Sequence, residues 1–328
     1  MTFLQDNVLL AAIALLLEAV CDYPAPLARR IGHPVQWIGT WIAALERRLN
    51  RPELAIRTRY ILGGCALALI LAVAVLPAVF LQNALRRAAP PFAAEILLAL
   101  PAAALLASRS LFAHVGAVVE AWTKEGLGGA RAAVSHIVGR NPEYLDAAGV
   151  MRAAIESLAE NFSDAVVAPA LWCALLGLPG IALYKAANTA DSMLGHRTAR
   201  LAAFGWAAAR FDDLINLPAS RLAALWLALA ALFTPQASAR AACRAAWRDA
   251  PRHRSPNAGW PEAATAGALG LSLAGPRVYG ETLVEDAWMG NGRKQAEGSD
   301  VLRALALTRR AAVLQIIVVT ALAMIAQG

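Results

Sequence analysis

The sequence predicts an all-α, polytopic integral membrane protein, a helical bundle with broken or partly inserted helices around a polar site. Three observations predict it. Apolar residues of the AVILMFWYC set make up 59% of the 328 residues and charged residues only 16%, with a mean hydropathy of +0.50. A soluble domain carries about 25% charge, and so few charges cannot cover a soluble surface of this size. Alanine and leucine dominate and period-two alternation is sparse, which favours helix over strand. The apolar residues also gather into runs that approach a bilayer crossing of about 20 residues.

Val8 to Val20 is the first run. Asp6 precedes it without a basic segment, and Glu18 and Asp22 interrupt its end, so it is expected to be an uncleaved span and not a signal peptide. Arg29, Arg30, Arg47, Arg48, Arg51, Arg57 and Arg59 follow, a cluster expected to stay cytoplasmic. Ile61 to Leu81 is the clearest span, and Phe92 to Ala107 and Ala311 to Ala326 reach the length with their flanks. Val166 to Leu183 contains Pro169, Gly177, Pro179 and Gly180, which mark a broken or re-entrant helix. Leu222 to Phe233, bounded by Arg221 and Thr234-Pro235, is short for a crossing and reads as buried or partly inserted. The polar connections run from Arg109 to Arg152, with a break at Gly126, Gly128 and Gly129 and a turn at Asn141-Pro142, from Ala237 to Trp260, and from Arg277 to Arg303. No linker or repeat divides the chain, so residues 1–328 are expected to form a single membrane domain.

Lys and Arg number 30 against 23 Asp and Glu, a net charge of +7. That balance suits anionic lipid or anionic small molecules. No Lys/Arg run is interleaved with aromatics, so no nucleic-acid partner is expected. Cys21, Cys65, Cys173 and Cys243 stand far apart without a CxxC pair and read as small buried hydrophobes. P-loop, Rossmann, GxSxG and HExxH signatures are missing, so any nucleotide chemistry must use an unusual site.

From Val150 to Ser220 the acidic side chains fall in three short motifs. In the first, Glu156, Glu160 and Asp164 recur at i, i+4 and i+8, one helix face, with Asn161 beside them. Carboxylates stacked without interleaved cations repel one another, which a metal ion or cationic substrate would relieve. The second places Lys185, Asn188, Asp191 and Ser192 on one polar face of an otherwise apolar helix. The third, Arg210-Phe211-Asp212-Asp213 continuing to Asn216 and Arg221, offers oxygen ligands of the kind Mg²⁺ accepts. A fourth stretch, from Arg248 through Arg254, Ser255 and Asn257 to Glu262, is rich in turns and cations and suits phosphate or carboxylate. One polar helix face is commonly just solvated; several in a membrane chain mark a site, because ionisable groups beside lipid are costly.

Together these motifs resemble the adenosylcobinamide-phosphate synthase (CobD/CbiB) family, a group of integral membrane proteins. The resemblance runs from Gly32-His33-Pro34-Val35-Gln36-Trp37 through His136-Ile137-Val138-Gly139-Arg140, Glu160-Asn161-Phe162-Ser163-Asp164, Tyr184 to Ser192, Arg210 to Asp213 and Ser255 to Gly259, and ends at Gly275-Pro276 and Tyr279-Gly280-Glu281. Departures stand at Asp22-Tyr23-Pro24, where the family has Gly-Asp-Pro, at Asn141-Pro142, where it has Asp-Thr, and at Ala165, where it has Gly. None removes a carboxylate from the central motifs.

The resemblance implies an amide ligase that joins a propionate carboxylate of adenosylcobyric acid to 1-amino-2-propanol or its phosphate, late in cobalamin synthesis. ATP and Mg²⁺ are the implied co-substrate and metal, and the corrinoid is a substrate. The implied setting is the bacterial inner membrane, with the active site open to the cytoplasm. A contact with the following membrane enzyme of that pathway fits the same setting. On this reading Glu160, Asp164, Asp212 and Asp213 hold Mg²⁺, and Lys185, Arg210 and Arg254 meet phosphate oxygens. Asn161, Asn188, Ser192, Asn216, Ser255, Asn257 and Glu262 bind polar substrate groups, and Glu156 or Asp191 is the base that deprotonates the attacking ammonium. The rival readings are a transporter or proton relay built on the same carboxylates and a non-catalytic scaffold. A common site also forbids that Val166 to Leu183 and Leu222 to Phe233 both cross as simple spans, unless the site lies at membrane depth in a polar cavity.

Overall fold

The computed structural model describes residues 3–21, 23–139, 142–196, 198–279, 282–284 and 286–327. Asp22, Arg140, Asn141, Gly280 and Glu281, named above, lie outside them. The helices are α1 Phe3–Val20, α2 Ala25–Ile31, α3 Pro34–Leu49, α4 Ile56–Ala88, α5 Pro91–Ala103, α6 Ser108–Val134, α7 Ala147–Phe162, α8 Ala168–Leu176, α9 Leu178–Leu194, α10 Trp206–Ala231, α11 Ala239–Asp249, α12 Gly259–Leu269 and α13 Gly298–Gln327. Helical segments long and apolar enough to cross a membrane lie in Ile56–Ala88, Pro91–Val134, Trp206–Ala231 and Gly298–Ala326. The expected all-α membrane bundle is what is found.

Packing groups the chain into two compact units, one of residues 1–107, 168–215 and 318–328, the other of residues 108–167 and 216–317. In the first, α9 packs on α3, α4 and α8, and α1 on α5 and α8. Ala66, Leu67 and Ile70 of α4 meet Ile42 of α3 and Ala186, Ala190 and Leu194 of α9 in one buried cluster. The backbone approaches closely there: a Cβ on Gly63 would lie 1.9 Å from the Phe204 carbonyl oxygen, and one on Gly205 would lie 1.8 Å from that of Leu194.

The start of α3 explains the Gly-His-Pro-Val-Gln-Trp motif. Gly32 takes a φ of +77°, His33 Nδ1 accepts the Val35 amide at 3.3 Å and Gln36 Oε1 accepts the His33 amide at 2.9 Å. These reciprocal bonds satisfy donors that the first helical turn leaves open, while Pro34 fits the first position, where no amide is needed.

The second unit packs α7 on α6 and α12, and α11 on α12. Gly126, at φ 65° and ψ −150°, kinks α6 within the expected glycine break. Two antiparallel pairs interrupt the expected connection from residue 277. β1 Leu273–Ala274 pairs with β4 Trp288–Met289, and β2 Arg277–Tyr279 pairs with β3 Thr282–Val284. A Cβ on Gly275 would lie 2.5 Å from the Trp288 ring.

One sequence expectation holds and two need adjustment. Val166 to Leu183 is broken as expected, into a π-turn at Ser163–Val167, α8 and α9, with the break at Gly177 (φ +71°). Leu222 to Phe233 is not a short insert, because its helix starts at Trp206 and Asp212, Asp213 and Pro218 do not interrupt it. Of the cysteines only Cys173 is buried; Cys21, Cys65 and Cys243 are exposed, and none is paired among the described residues. The reason is helical phase, since Cys65 shares the apolar helix α4 but not its buried side.

Candidate functional site

In the first unit, α9 and α10 bring together the second and third motifs. Asn188 Nδ2 donates to Asp212 Oδ1 at 3.4 Å, and Arg210 pairs with Asp213 at 2.9 Å. Asp212 is buried, Lys185, Asn188 and Asp191 are half-buried and Ser192 is exposed. Burial raises the Asp191 carboxyl above the ordinary carboxylate range, the Asp213 charge raises it further, and His196 and Arg210 pull it back. The two aspartates are thus near enough to oppose each other's ionisation. Trp172 on α8 donates to the Ile215 carbonyl at 3.1 Å and ties α8 to α10.

His33 enters this unit's polar set without having been a sequence candidate. Burial lowers its pKa first and the Lys185 charge lowers it further, while a hydrogen bond with the Ala104 backbone raises it. Its signal was the Gly-His-Pro-Val motif, which sequence spacing alone does not connect to Lys185.

In the second unit the first motif meets three different surroundings. Glu156 is buried, Glu160 exposed and Asp164 half-buried. Glu156 Oε1 accepts the Ala274 amide at 2.8 Å. Ala274 has a φ of +56°, a left-handed backbone that a residue with a Cβ seldom takes. Glu156 therefore braces β1. Asn161 donates to the Ser157 carbonyl at 2.9 Å, and Ser157 donates to that of Ile137 at 2.6 Å. The π-turn follows at once, a device concentrated at functional sites, and within it Ser163 Oγ is buried without a hydrogen-bond partner among the described residues.

The fourth stretch forms a polar set with the end of the third. Ser220 and Arg221 of α10 both donate to Asn257 Oδ1, at 3.2 and 3.1 Å. Arg221 lies over the Trp260 ring, 4.8 Å from its centroid. Ser255 Oγ accepts the amides of Asn257 and Ala258 at 3.2 Å each, closing a turn that holds Asn257. His253 Nε2 lies 3.8 Å from the buried Glu262, and Arg254 lies 3.8 Å from Asp286. Asn216 is buried at 1% exposure. Ser220, Arg221 and Trp260 were missed as candidates. The i, i+4 spacing of Asn216 and Ser220 was the available signal.

The Gly290 amide donates to Asp249 Oδ2 at 2.9 Å and so ties the β4 turn to the end of α11. Among the described residues no three His, Cys, Asp or Glu side chains gather as a metal ligand set.

A family model described as CobD/Cbib protein matches residues 11–308. The chain is 47% identical over 299 residues to the "Cobalamin biosynthesis protein CobD" of Rhodobacter capsulatus, covering 91% of this chain and 92% of the relative. It is 46% identical over 323 residues to the protein of that name from a Sinorhizobium species, covering 98% and 99%. The Brucella suis protein of the same name is 45% identical over 309 residues, with 93% of each covered. No solved structure matches. Matched along nearly its whole length, and carrying on α9 and α10 the polar motifs by which the sequence resembled that group, the chain belongs to the CobD/CbiB family.

Proposed function

We propose that this membrane protein acts in cobalamin biosynthesis as an ATP- and Mg²⁺-dependent amide ligase, joining a propionate carboxylate of adenosylcobyric acid to 1-amino-2-propanol or its phosphate. Family membership supports the pathway. The observation that carries the chemistry is the α9–α10 cluster, in which the exposed Arg210 pairs with the half-buried Asp213, Asp213 raises the pKa of the half-buried Asp191, and Asn188 bonds the buried Asp212, with the half-buried Lys185 on the same face of α9.

A carboxylate does not react with an amine at neutral pH until phosphoryl or adenylyl transfer activates it. In this reading Lys185 and Arg210 bind phosphate oxygens and stabilise the charge that develops on them. Asp191 takes the proton of the attacking ammonium. Its raised pKa fits a base better than an ordinary carboxylate does, since a catalytic pKa works best near the operating pH. Glu156 acts as a brace, and Asn188 orients Asp212. In the second unit Arg221, Ser220 and Asn257 present a linked set of polar groups to a substrate, with Asn216, Arg254 and Glu262 in supporting binding roles, and Ser192 has that role in the first unit.

Mg²⁺ usually arrives with substrate phosphates and needs only one or two protein carboxylates. Asp212 and Asp213 are the oxygen donors that would hold it in the first unit, and Glu160 and Asp164 those of the second. When bound, it neutralises the triphosphate. We place the protein in the bacterial inner membrane with its site open to the cytoplasm, where ATP is made available. Incubating purified protein with adenosylcobyric acid, MgATP and either amine tests the proposal by mass spectrometry. Amide formation coupled to ATP cleavage is expected, and ATP-independent movement of corrinoid across vesicles would favour a transporter instead.

A further inference from the structure

Beyond the reaction, the second unit carries a surface that the ligase reading does not use. At the end of the apolar segment of α10, Leu232 and Phe233 are each 65% exposed. The chain then doubles back through tight turns, with the Thr234 amide donating to Ala231 and that of Ala237 to Thr234, and α11 begins at Ala239, capped by Ser238 Oγ on the Ala241 amide at 3.2 Å. Helix α11 has two unlike sides. Ala242, Ala245 and Ala246 are buried, and Gly267 of α12 approaches so closely that a Cβ there would lie 2.4 Å from the Ala241 carbonyl oxygen. On the other side Arg240, Arg244 and Arg248 stand in one row at i, i+4 and i+8. Cys243 and the 74% exposed Trp247 form the row beside it.

Arg248 is held by Asp249 in a two-pronged pair at 2.7 and 2.6 Å. Arg240 and Arg244 make no ion pair among the described residues. A tryptophan beside a row of arginines, one short turn past the end of a membrane-length helix with exposed Leu and Phe, has the composition of a headgroup-level anchor: aromatic rings and long basic side chains both settle at that depth. The alanine side is too small and too well covered by α12 to be what α11 offers to a partner.

We infer that α11 lies in the membrane–water interface and that Arg240 and Arg244 bind the phosphates of anionic phospholipids, with Trp247 at headgroup depth. Charge selects this occupant over a zwitterionic surface, since each basic residue near an anionic leaflet adds an attraction of its own. The same contact reaches the Asn257 set, because Trp247 meets Trp260 edge to face at 5.4 Å and Trp260 lies under Arg221. Lipid bound at α11 thereby steadies Arg221, which faces substrate on the ligase reading, without itself touching substrate.

The test uses full-length protein in nanodiscs with a nitroxide on Cys243, after Cys21→Ser and Cys65→Ala remove the other exposed thiols. Accessibility to oxygen and to a water-soluble nickel chelate is read in phosphatidylcholine with and without phosphatidylglycerol. With phosphatidylglycerol the label is expected to be open to oxygen and shielded from the chelate. Arg240→Gln with Arg244→Gln is expected to return it to water and to lower the preference for phosphatidylglycerol in lipid competition by about fivefold per arginine. Arg240→Lys with Arg244→Lys should retain both. Water-like accessibility of the native label in phosphatidylglycerol would overturn the inference. So would shielding from both reagents in either lipid, which means a protein partner, or lipid-dependent shielding that survives the double glutamine change.

Discussion

Asp191 sits where burial and the Asp213 carboxylate both oppose its ionisation, and this fixes the sign of two pH effects. As the base, it is protonated and idle once pH falls through its raised pKa. The acid limb of kcat/KM is therefore expected above the ordinary carboxylate range, and Asp191→Asn should abolish that limb and lower turnover by about 10²–10⁴. For stability the sign is reversed: the fold favours the protonated form, so this group's contribution is present at acid pH and is lost as pH rises through the raised value. Asp191→Asn should remove that dependence in a thermal unfolding series. Asp249 behaves oppositely. Burial pushes its carboxyl up, but the Arg248 hydrogen bond, the Gly290 amide and the Arg248 and Arg252 charges outweigh it and hold the pKa low. Its contribution is present above the ordinary carboxylate pKa and is lost as pH falls through the lowered one. Asp249→Ala leaves the Gly290 amide unpaired and should cost about 1–3 kcal/mol at neutral pH, measured by denaturant or thermal unfolding. At this scale the sequence disclosed which residues carry charge but not their partners. Lys185, Asn188 and Asp191 were legible because helical spacing puts them on one face. His33, Arg221 and Trp260 were not, because only tertiary packing joins His33 with Lys185 and Arg221 with Asn257.

Among the elements, the junction of α8 and α9 decides how the polar face of α9 is presented. Gly177 holds a φ of +71°, and a Cβ there would lie 2.2 Å from Gln82 Oε1, the same atom that accepts the Leu178 amide at 2.8 Å. Gly177→Ala should cost about 1–3 kcal/mol for a backbone conformation open essentially only to glycine, with a further loss as Gln82 is pushed off the helix end. A lowered Tm with reduced product formation is expected. The break was legible because Pro and Gly punctuate an apolar run. The length of α10 was not, because Arg221 and Thr234-Pro235 bound a short apolar run, while the contacts of Asp212 with Asn188 and of Asp213 with Arg210 let the polar residues before it continue in helix. The β-pairs from 273 to 289 were also hidden: they are two or three residues long, and Glu156, distant in sequence, braces the first of them.

For the whole molecule, composition alone predicted a membrane protein, and the helices that are long and apolar enough to cross agree. The two compact units were not legible, because each is assembled from segments far apart in the chain and no linker marks the change. If Mg²⁺ comes with the nucleotide, chelation by EDTA should stop product formation without lowering Tm, and restored Mg²⁺ should recover the activity in full. A resident structural ion would instead show as a fall in Tm. The most direct measurement is mass spectrometry of purified protein in nanodiscs, supplied with adenosylcobyric acid, MgATP, and aminopropanol with or without its phosphate. One new amide and one ADP or AMP per amide are expected, with amide formation slowed by about 10²–10⁴ in Asp191→Asn. No amide from either amine, in a preparation whose unfolding transition is intact, would contradict it.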